Sequence, residues 1–419
     1  DYDNLIVPSL TERYPNGTLN FGTKELTVRG VDRVYITTDL KVYMEPDSGV
    51  VKILEGRDLL FNGMVNAGDF VYKGKDFQFQ YADNLFAMPT IDSIRIQIPV
   101  PDSLKVEGGE EKTALHNHLE LTSGTLFVES PDNKSGKKQN LQYPYFTSDS
   151  EAVVFFDSKE ILKGAYNKTV RFVIPPFEID SSNRSDGASI SFEGTFHAGD
   201  ILEPFEEKLV IQPDKSLGFE HKIPESGYKL YGGTGTLYNS LSLSYQGLRS
   251  NGKIDYLTTT VYSNDFIFYL DSTSAIAQSG EIRPGNLGSA SFPQGIMGAL
   301  RMKWLPKKDS MFLKNIGDPI ELYNGTAKLQ GAANITAKGA FGLGTLETRG
   351  SRVKSKQFSF SETKFSARHG AFEILTDNPE KPAMAGEDIA LNFDLAANVA
   401  DVHPEKAGVA AIGFPYAQM

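Results

Sequence analysis

The sequence predicts an all-β protein, built as an elongated β-solenoid or β-helix-like repeat. Three observations carry this reading. Residues 230–268 and 322–360 are one segment written twice. Aligned without a gap at an offset of 92, they share 11 identities in 39 positions. Leu230/Leu322, Tyr231/Tyr323, Gly233/Gly325, Thr234/Thr326, Gly247/Gly339, Gly252/Gly344, Val261/Val353, Phe266/Phe358 and Phe268/Phe360 are among them. A repeat with fixed glycines between alternating apolar positions marks a stacked, strand-built architecture. Period-2 alternation dominates elsewhere and helical periodicity is nearly absent. Clusters of Gly, Asn, Asp, Ser and Pro punctuate the apolar runs. The alternative is β-sandwich domains stacked end to end, because a 92-residue period also suits one sandwich per copy.

Residues 1–110 read as an N-terminal β segment. A PNG turn at 15–17 and a PDSG turn at 46–49 flank DRVYITTDLKVY at 33–44, where Val34, Ile36, Thr38, Leu40 and Val42 share one side. DSIRIQIPV at 92–100 likewise puts Ile94, Ile96 and Ile98 on one face. Two upstream strings echo the repeat theme. FNGMVNAGD at 61–69 matches FEGTFHAGD at 192–200, and KGKDFQF at 73–79 matches YSNDFIF at 262–268. Residues 111–225 are a more irregular β segment with longer loops. EAVVFF at 151–156 and TVRFVIP at 169–175 have buried-strand length, and SKEILKGAY at 158–166 makes a helical turn or two ended by Gly164. Residues 226–318 and 319–419 carry the two repeat copies, joined through WLPKKDS. The stretch 374–387, with two prolines, reads as a long loop.

Composition bounds the function. With 419 residues the chain accommodates two or three domains or one long solenoid. A net charge of −11 argues against nucleic acid as a partner. The basic cluster Lys303, Lys307 and Lys308 around Trp304 reads as a solvated loop. Cysteine is absent, which removes disulfides and thiolate metal sites. No apolar run reaches the roughly 18–20 residues of a transmembrane helix. The opening DYDNLIVPSL lacks a basic n-region and apolar core, so the chain reads as a mature or excised piece of something longer.

The most catalytic-looking string is LHNHLEL at 115–121. On a strand, His116, His118 and Glu120 point to one face in steps of about 6.6–7 Å. Two imidazoles and a carboxylate so placed can ligate a divalent transition metal. The H-x-H resembles a cupin motif, but Thr122 and Ser123 stand where the cupin glutamate would come. The favoured reading is an exposed polar face, with no metal and no cofactor. Asp69, Asp200, Asp255 and Glu347 near the glycine turns are the candidates for paired-carboxylate chemistry; solvated turn residues are the favoured reading. No G-x-S-x-G and no G-x-x-x-x-G-K-[ST] string occurs.

FNGMVNAGDFVYKGKDFQFQY at 61–81, SPDNKSGKK at 130–138, QPDKSLGF at 212–219, LYGGTGTL at 230–237 and GVAAIGFPYAQM at 408–419 together resemble large, repetitive β-rich envelope proteins of Bacteroidetes. The resemblance implies an extracytoplasmic location: periplasm, outer membrane or cell surface. More distantly, the rhythm is similar to lipopolysaccharide-transport and AsmA/TamB-like β-solenoids, which hold acyl chains in an apolar groove. By that likeness Phe77, Phe79, Phe266, Phe268, Phe358 and Phe360 are candidates to line a groove, against the ordinary reading of aromatic core. Asp-Ser-apolar triplets at Ser93, Ser103, Ser272 and Ser310 resemble the O-glycosylation acceptor of exported Bacteroidetes proteins.

The leading expectation is therefore a non-catalytic structural or interaction module of a larger cell-envelope protein. Its partners would be other envelope proteins or the rest of a longer chain. A lipid or lipopolysaccharide carrier with an apolar groove is the first alternative. A carbohydrate-binding or polysaccharide-degrading β-helix protein is the second, with Tyr143, Tyr145, Tyr231 and Tyr323 as surface rings for sugars.

Overall fold

The computed structural model describes residues 5–12, 14–37, 40–100, 112–130, 142–180, 190–375 and 385–405. The chain is all-β, with 64% of residues in strands and 3% helical. Strands pair antiparallel wherever a register is defined, as in the 247–256/259–268 and 339–348/351–360 hairpins. The parallel β-helix form of the expectation is therefore not adopted by the described residues.

Two compact units emerge. One comprises Asp1–Ala198, Pro204–Phe219 and Leu243–Gln246; the other comprises Gly199–Glu203, Glu220–Ser242 and Gly247–Met419. Within each unit, pairings link described strands that lie on either side of the expected boundaries near 110 and 318. In the first unit strand Leu85–Pro99 pairs with Leu119–Phe127, and in the second Ser310–Asn315 pairs with Ala327–Thr336.

The repeat is reproduced strand for strand. Gly235–Ser244, Gly247–Tyr256 and Thr259–Phe268 recur at the same offset as Ala327–Thr336, Gly339–Thr348 and Ser351–Phe360. It also extends beyond the sequence match. Phe266 faces Ala275 as Phe358 faces Ala367, and Val261 faces Gly280 as Val353 faces Phe372.

Several long strands change inward parity at their middle, Phe70–Gln80, Thr259–Phe268 and Ser351–Phe360 among them. In Phe70–Gln80 the buried residues include Phe70, Tyr72 and Gly74, then Phe77 and Phe79. In Thr259–Phe268 they include Val261 and Ser263, then Phe266 and Phe268; in Ser351–Phe360 they include Val353 and Ser355, then Phe358 and Phe360. The switch occurs across two successive exposed residues: Lys75–Asp76, Asn264–Asp265 and Lys356–Gln357. An extra residue at that point is a β-bulge, which bends the strand and resets which face looks inward. The register of the 247–256/259–268 and 339–348/351–360 pairs shifts there.

The bend is sharp enough to fold a creased strand back on itself. A straight strand from 259 to 268 would span about 30 Å. Yet Tyr256, opposite Thr259, and Trp304, opposite Thr273 beside Phe268, have ring centroids 5.3 Å apart. The first unit repeats the device. Tyr72 packs at 4.9 Å on Phe146, although Phe146 aligns through Leu126 and Phe86 with Phe79. The two halves of a creased strand therefore form two leaves around one core. Fully burying a phenylalanine between them contributes about 1.5–3 kcal/mol.

Glycine makes the crease possible. Gly252 and Gly344 have φ +148° and +130°. A Cβ there would lie 2.1 Å from the Tyr238 carbonyl oxygen and 2.2 Å from that of Gln330. Backbone amides displaced from the ladder by the bulges find side chains instead. Asp265 N donates to Ser263 Oγ (3.1 Å) and Gln357 N to Ser355 Oγ (2.9 Å). Asp76 N donates to Asn62 Oδ1 (2.8 Å), and Asn264 N to Gln278 Oε1 (2.9 Å).

Candidate functional site

The HNH string is not a strand. Residues 115–118 form a bend between Lys112–Ala114 and Leu119–Phe127, so the one-face geometry expected for His116, His118 and Glu120 is not made. The physical cause is Asn117, the residue between the histidines. It is buried, its Nδ2 donates to the Leu217 carbonyl (3.2 Å), and its Oδ1 accepts from Leu217 N (2.7 Å). His116 N donates to the Lys215 carbonyl, and the His116 ring stacks on Tyr245 at 4.3 Å. His118 Nε2 instead meets Glu120 Oε1 at 3.3 Å. No group of three side chains able to hold a metal ion occurs among the described residues.

The 212–217 turn that docks on this bend is organised by Asp214. Its Oδ1 accepts from Ser216 Oγ (2.6 Å) and its Oδ2 from Tyr245 N (3.0 Å). Burial pushes the Asp214 carboxyl up, but these hydrogen bonds outweigh it and hold the group below the usual carboxylate range. The Tyr245 hydroxyl donates to Glu160, and burial raises its titration. Two sequence strings, HNH and QPDKSL, thus meet as a mutual structural clasp. Sequence reasoning missed this contact because its partners lie 100 positions apart.

The carboxylates near the glycine turns are each occupied. Asp69 pairs with Lys112 (2.6 Å), Asp200 with Lys307 (3.1 Å) and Glu347 with Arg352 (2.8 Å). Asp255 accepts from Thr260 Oγ1 (2.6 Å).

The six phenylalanines Phe77, Phe79, Phe266, Phe268, Phe358 and Phe360 are all buried. Ser93, Ser272 and Ser310 are buried as well. Ser272 Oγ donates to Asp271 Oδ1 (2.9 Å) and Ser310 Oγ to Asn334 Oδ1 (2.7 Å). These three hydroxyls are therefore largely withdrawn from solvent in the folded chain. Ser103 lies outside the described residues, as does most of the 130–138 string and all of 408–419.

Of the four tyrosines expected as surface rings for sugars, none is fully exposed. Tyr323 is buried and Tyr231 half-buried. The Tyr231 hydroxyl lies 2.7 Å from the Ser272 carbonyl, and the Tyr323 hydroxyl 2.8 Å from that of Lys364. Residues 272 and 364 are themselves equivalent in the repeat. Each tyrosine thus ties the turn before a three-strand copy to the residues that follow its creased strand, and burial drives the Tyr323 titration far up. Tyr143 and Tyr145 are half-buried; burial, then Glu178, pushes Tyr145 up to about 12. Trp304, read as part of a loop, sits fully buried on strand Leu300–Leu305.

One recess carries both apolar and polar groups. A cleft of about 620 Å³ in the second unit is lined by Phe360, Phe365 and Phe393, with Lys364, Asn392, Asp394 and Asp401 among its polar residues. Phe365 and Phe393 stack at 5.2 Å, and Lys364 pairs with Asp394 at 2.9 Å. Hydrogen bonds from Ala396 N, Ala397 N and Lys364 hold the Asp394 carboxyl below its ordinary range. The arrangement offers an aromatic floor and a polar rim, suited to holding a ligand rather than to activating a nucleophile.

No family model, curated protein or solved structure matches the chain. No helix among the described residues is long and apolar enough to cross a membrane.

Proposed function

We propose that the chain is a non-catalytic structural and interaction module, an antiparallel solenoid that displays side chains on the outside of a creased double-leaf sheet. One observation carries this reading: the same strand, crease and tyrosine latch are built twice, from 228–282 and from 320–374. A duplicated element whose retained residues are crease glycines, latch tyrosines and core phenylalanines has been retained for its shape. The clasp around Asp214 and the ion-paired carboxylates support the same reading, since their chemistry is spent on tertiary bonds. By its likeness in texture to large envelope proteins of Bacteroidetes, we place the module outside the cytoplasm, joined to other envelope proteins or to more of its own chain.

The cleft floored by Phe360, Phe365 and Phe393 favours one second reading, a carrier for an apolar ligand. Mass spectrometry of organic extracts from chain purified without detergent separates the two, beside a mock purification. The scaffold reading expects a blank. Lipid at near one molecule per chain would replace it with the carrier reading and make the Phe360 cleft the place to mutate.

A further inference from the structure

The outer surfaces of the two leaves of the second unit are charged in different ways. On one leaf a continuous cross-strand row runs Glu281–Ile296–Glu321–Lys328–Glu347–Arg352–Glu373. Acid and base alternate through most of it, and the pairs close. Lys328 meets Glu321 at 3.6 Å, and Arg352 meets Glu347 and Glu373 at 2.8 and 2.9 Å.

The other leaf breaks this pattern. One row there runs Ser274–Lys303–Phe312–Asn334–Phe341–Ser359. The next, two residues along each strand, runs Ile276–Arg301–Lys314–Ala332–Leu343. No carboxylate stands at any of these positions. Arg301, Lys303 and Lys314 are exposed, and among the described residues none of them forms an ion pair. Arg301 lies directly opposite Lys314, a like-charge pairing that costs stability on a strand pair. Around them stand four exposed apolar side chains: Ile276 (64% exposed), Leu343 (49%), Phe312 (41%) and Phe341 (36%).

A chain with net charge −11 has gathered uncompensated cations and exposed apolar groups on one face. The strands bearing them have hydrogen-bonded neighbours on both sides, so no free strand edge is offered for strand addition. The partner must be met by side chains alone and must be both anionic and apolar. We propose that this face docks on an anionic lipid surface, with Arg301, Lys303 and Lys314 on the headgroups and Phe312, Phe341, Leu343 and Ile276 at the acyl boundary. The proposal rests on the interaction-module reading and supplies its partner class.

Sedimentation of the full chain with vesicles tests it, using phosphatidylcholine alone or doped with phosphatidylglycerol. Wild type is expected to partition onto the doped vesicles only, and less so as salt rises. Each cation near such a surface changes partition about fivefold, so Arg301→Gln/Lys303→Gln/Lys314→Gln should lower it roughly a hundredfold. Lys328→Gln/Arg352→Gln, from the ion-paired leaf, should leave it unchanged. Unshifted melting of both variants confirms that each is folded. No preference for doped vesicles, or equal loss in both variants, would overturn the proposal. So would retention on immobilised polyglutamate without partition onto vesicles, which would assign the face to an acidic protein. Lipid extracted equally from wild type and the triple variant would count against the scaffold reading, while the vesicle assay would still judge this face.

Discussion

Replacing Gly344 with alanine tests the crease directly. The new Cβ would stand 2.2 Å from the Gln330 carbonyl oxygen and 2.9 Å from the Gly331 Cα. Ordinary carbon–oxygen contacts begin at about 3.3 Å, so one backbone must retreat by about 1 Å. At φ +130° the alanine is also held in a conformation costing about 1–3 kcal/mol. The retreat weakens one or two cross-strand hydrogen bonds, each contributing about 1 kcal/mol. A loss of about 3 kcal/mol is expected. Gly252→Ala should behave alike, since its φ is +148° and its Cβ would lie 2.1 Å from Tyr238 O. Gly317 provides the control. Its φ is +90°, but nothing lies within 4 Å of its Cβ position, so its alanine variant bears strain alone, about 1 kcal/mol. Urea denaturation of the three variants at matched conditions measures the differences. If Gly344→Ala and Gly317→Ala lose equal stability, the close approach at the crease is not what these glycines serve.

Two further outcomes follow from the bonding. Tyr231→Phe and Tyr323→Phe each remove a latch hydroxyl while keeping the ring, and each should cost about 1–2 kcal/mol in thermal or urea melting; a neutral pair would remove the latch from the account. His197 titrates below its ordinary range because it is partly buried and faces Arg171 across the strand pair. The unfolded chain, with an ordinary value of about 6.5, then binds the proton more readily than the folded one. Stability should therefore be full above that value and fall as pH drops through it. The fall should be smaller in His197→Gln, read from urea midpoints on either side of pH ~6.5.

The sequence made the strands legible but not their folding. The 92-residue offset read from the sequence recurs in the strand positions to the residue, because alternation and turn chemistry are local. The crease was hidden because its marker is a pair of polar residues such as Asn264–Asp265 or Lys356–Gln357, which read as ordinary solvent-facing positions. Only the parity of the flanking phenylalanines betrays it, with Val261 and Phe266 both inward across an odd spacing. The HNH bend was illegible for a different reason. Alternation through His116, His118 and Glu120 is correct as a strand pattern, and the override comes from Leu217, far along the chain. The Lys303 face was likewise unreadable, since its cations come from two strands and its apolar groups from three. The Phe360 cleft had one visible signal, an F-x-F strand, but Phe365 and Phe393 join it only through pairing.

The parity reset has a consequence for how such a chain can change length. In an ordinary sheet, adding a residue within a strand turns every later side chain inside out. Here the creased strands Phe70–Gln80, Thr259–Phe268 and Ser351–Phe360 correct their own facing at the bulge, and each of the two repeat copies is closed across its ends by a tyrosine. A hairpin can therefore be copied or deleted between its neighbours without reassigning the inward and outward positions of the strands on either side. Growth by whole hairpins leaves the core grammar intact while freeing the outer residues to diverge, so a gene encoding this fold can lengthen in steps and acquire a new surface with each one.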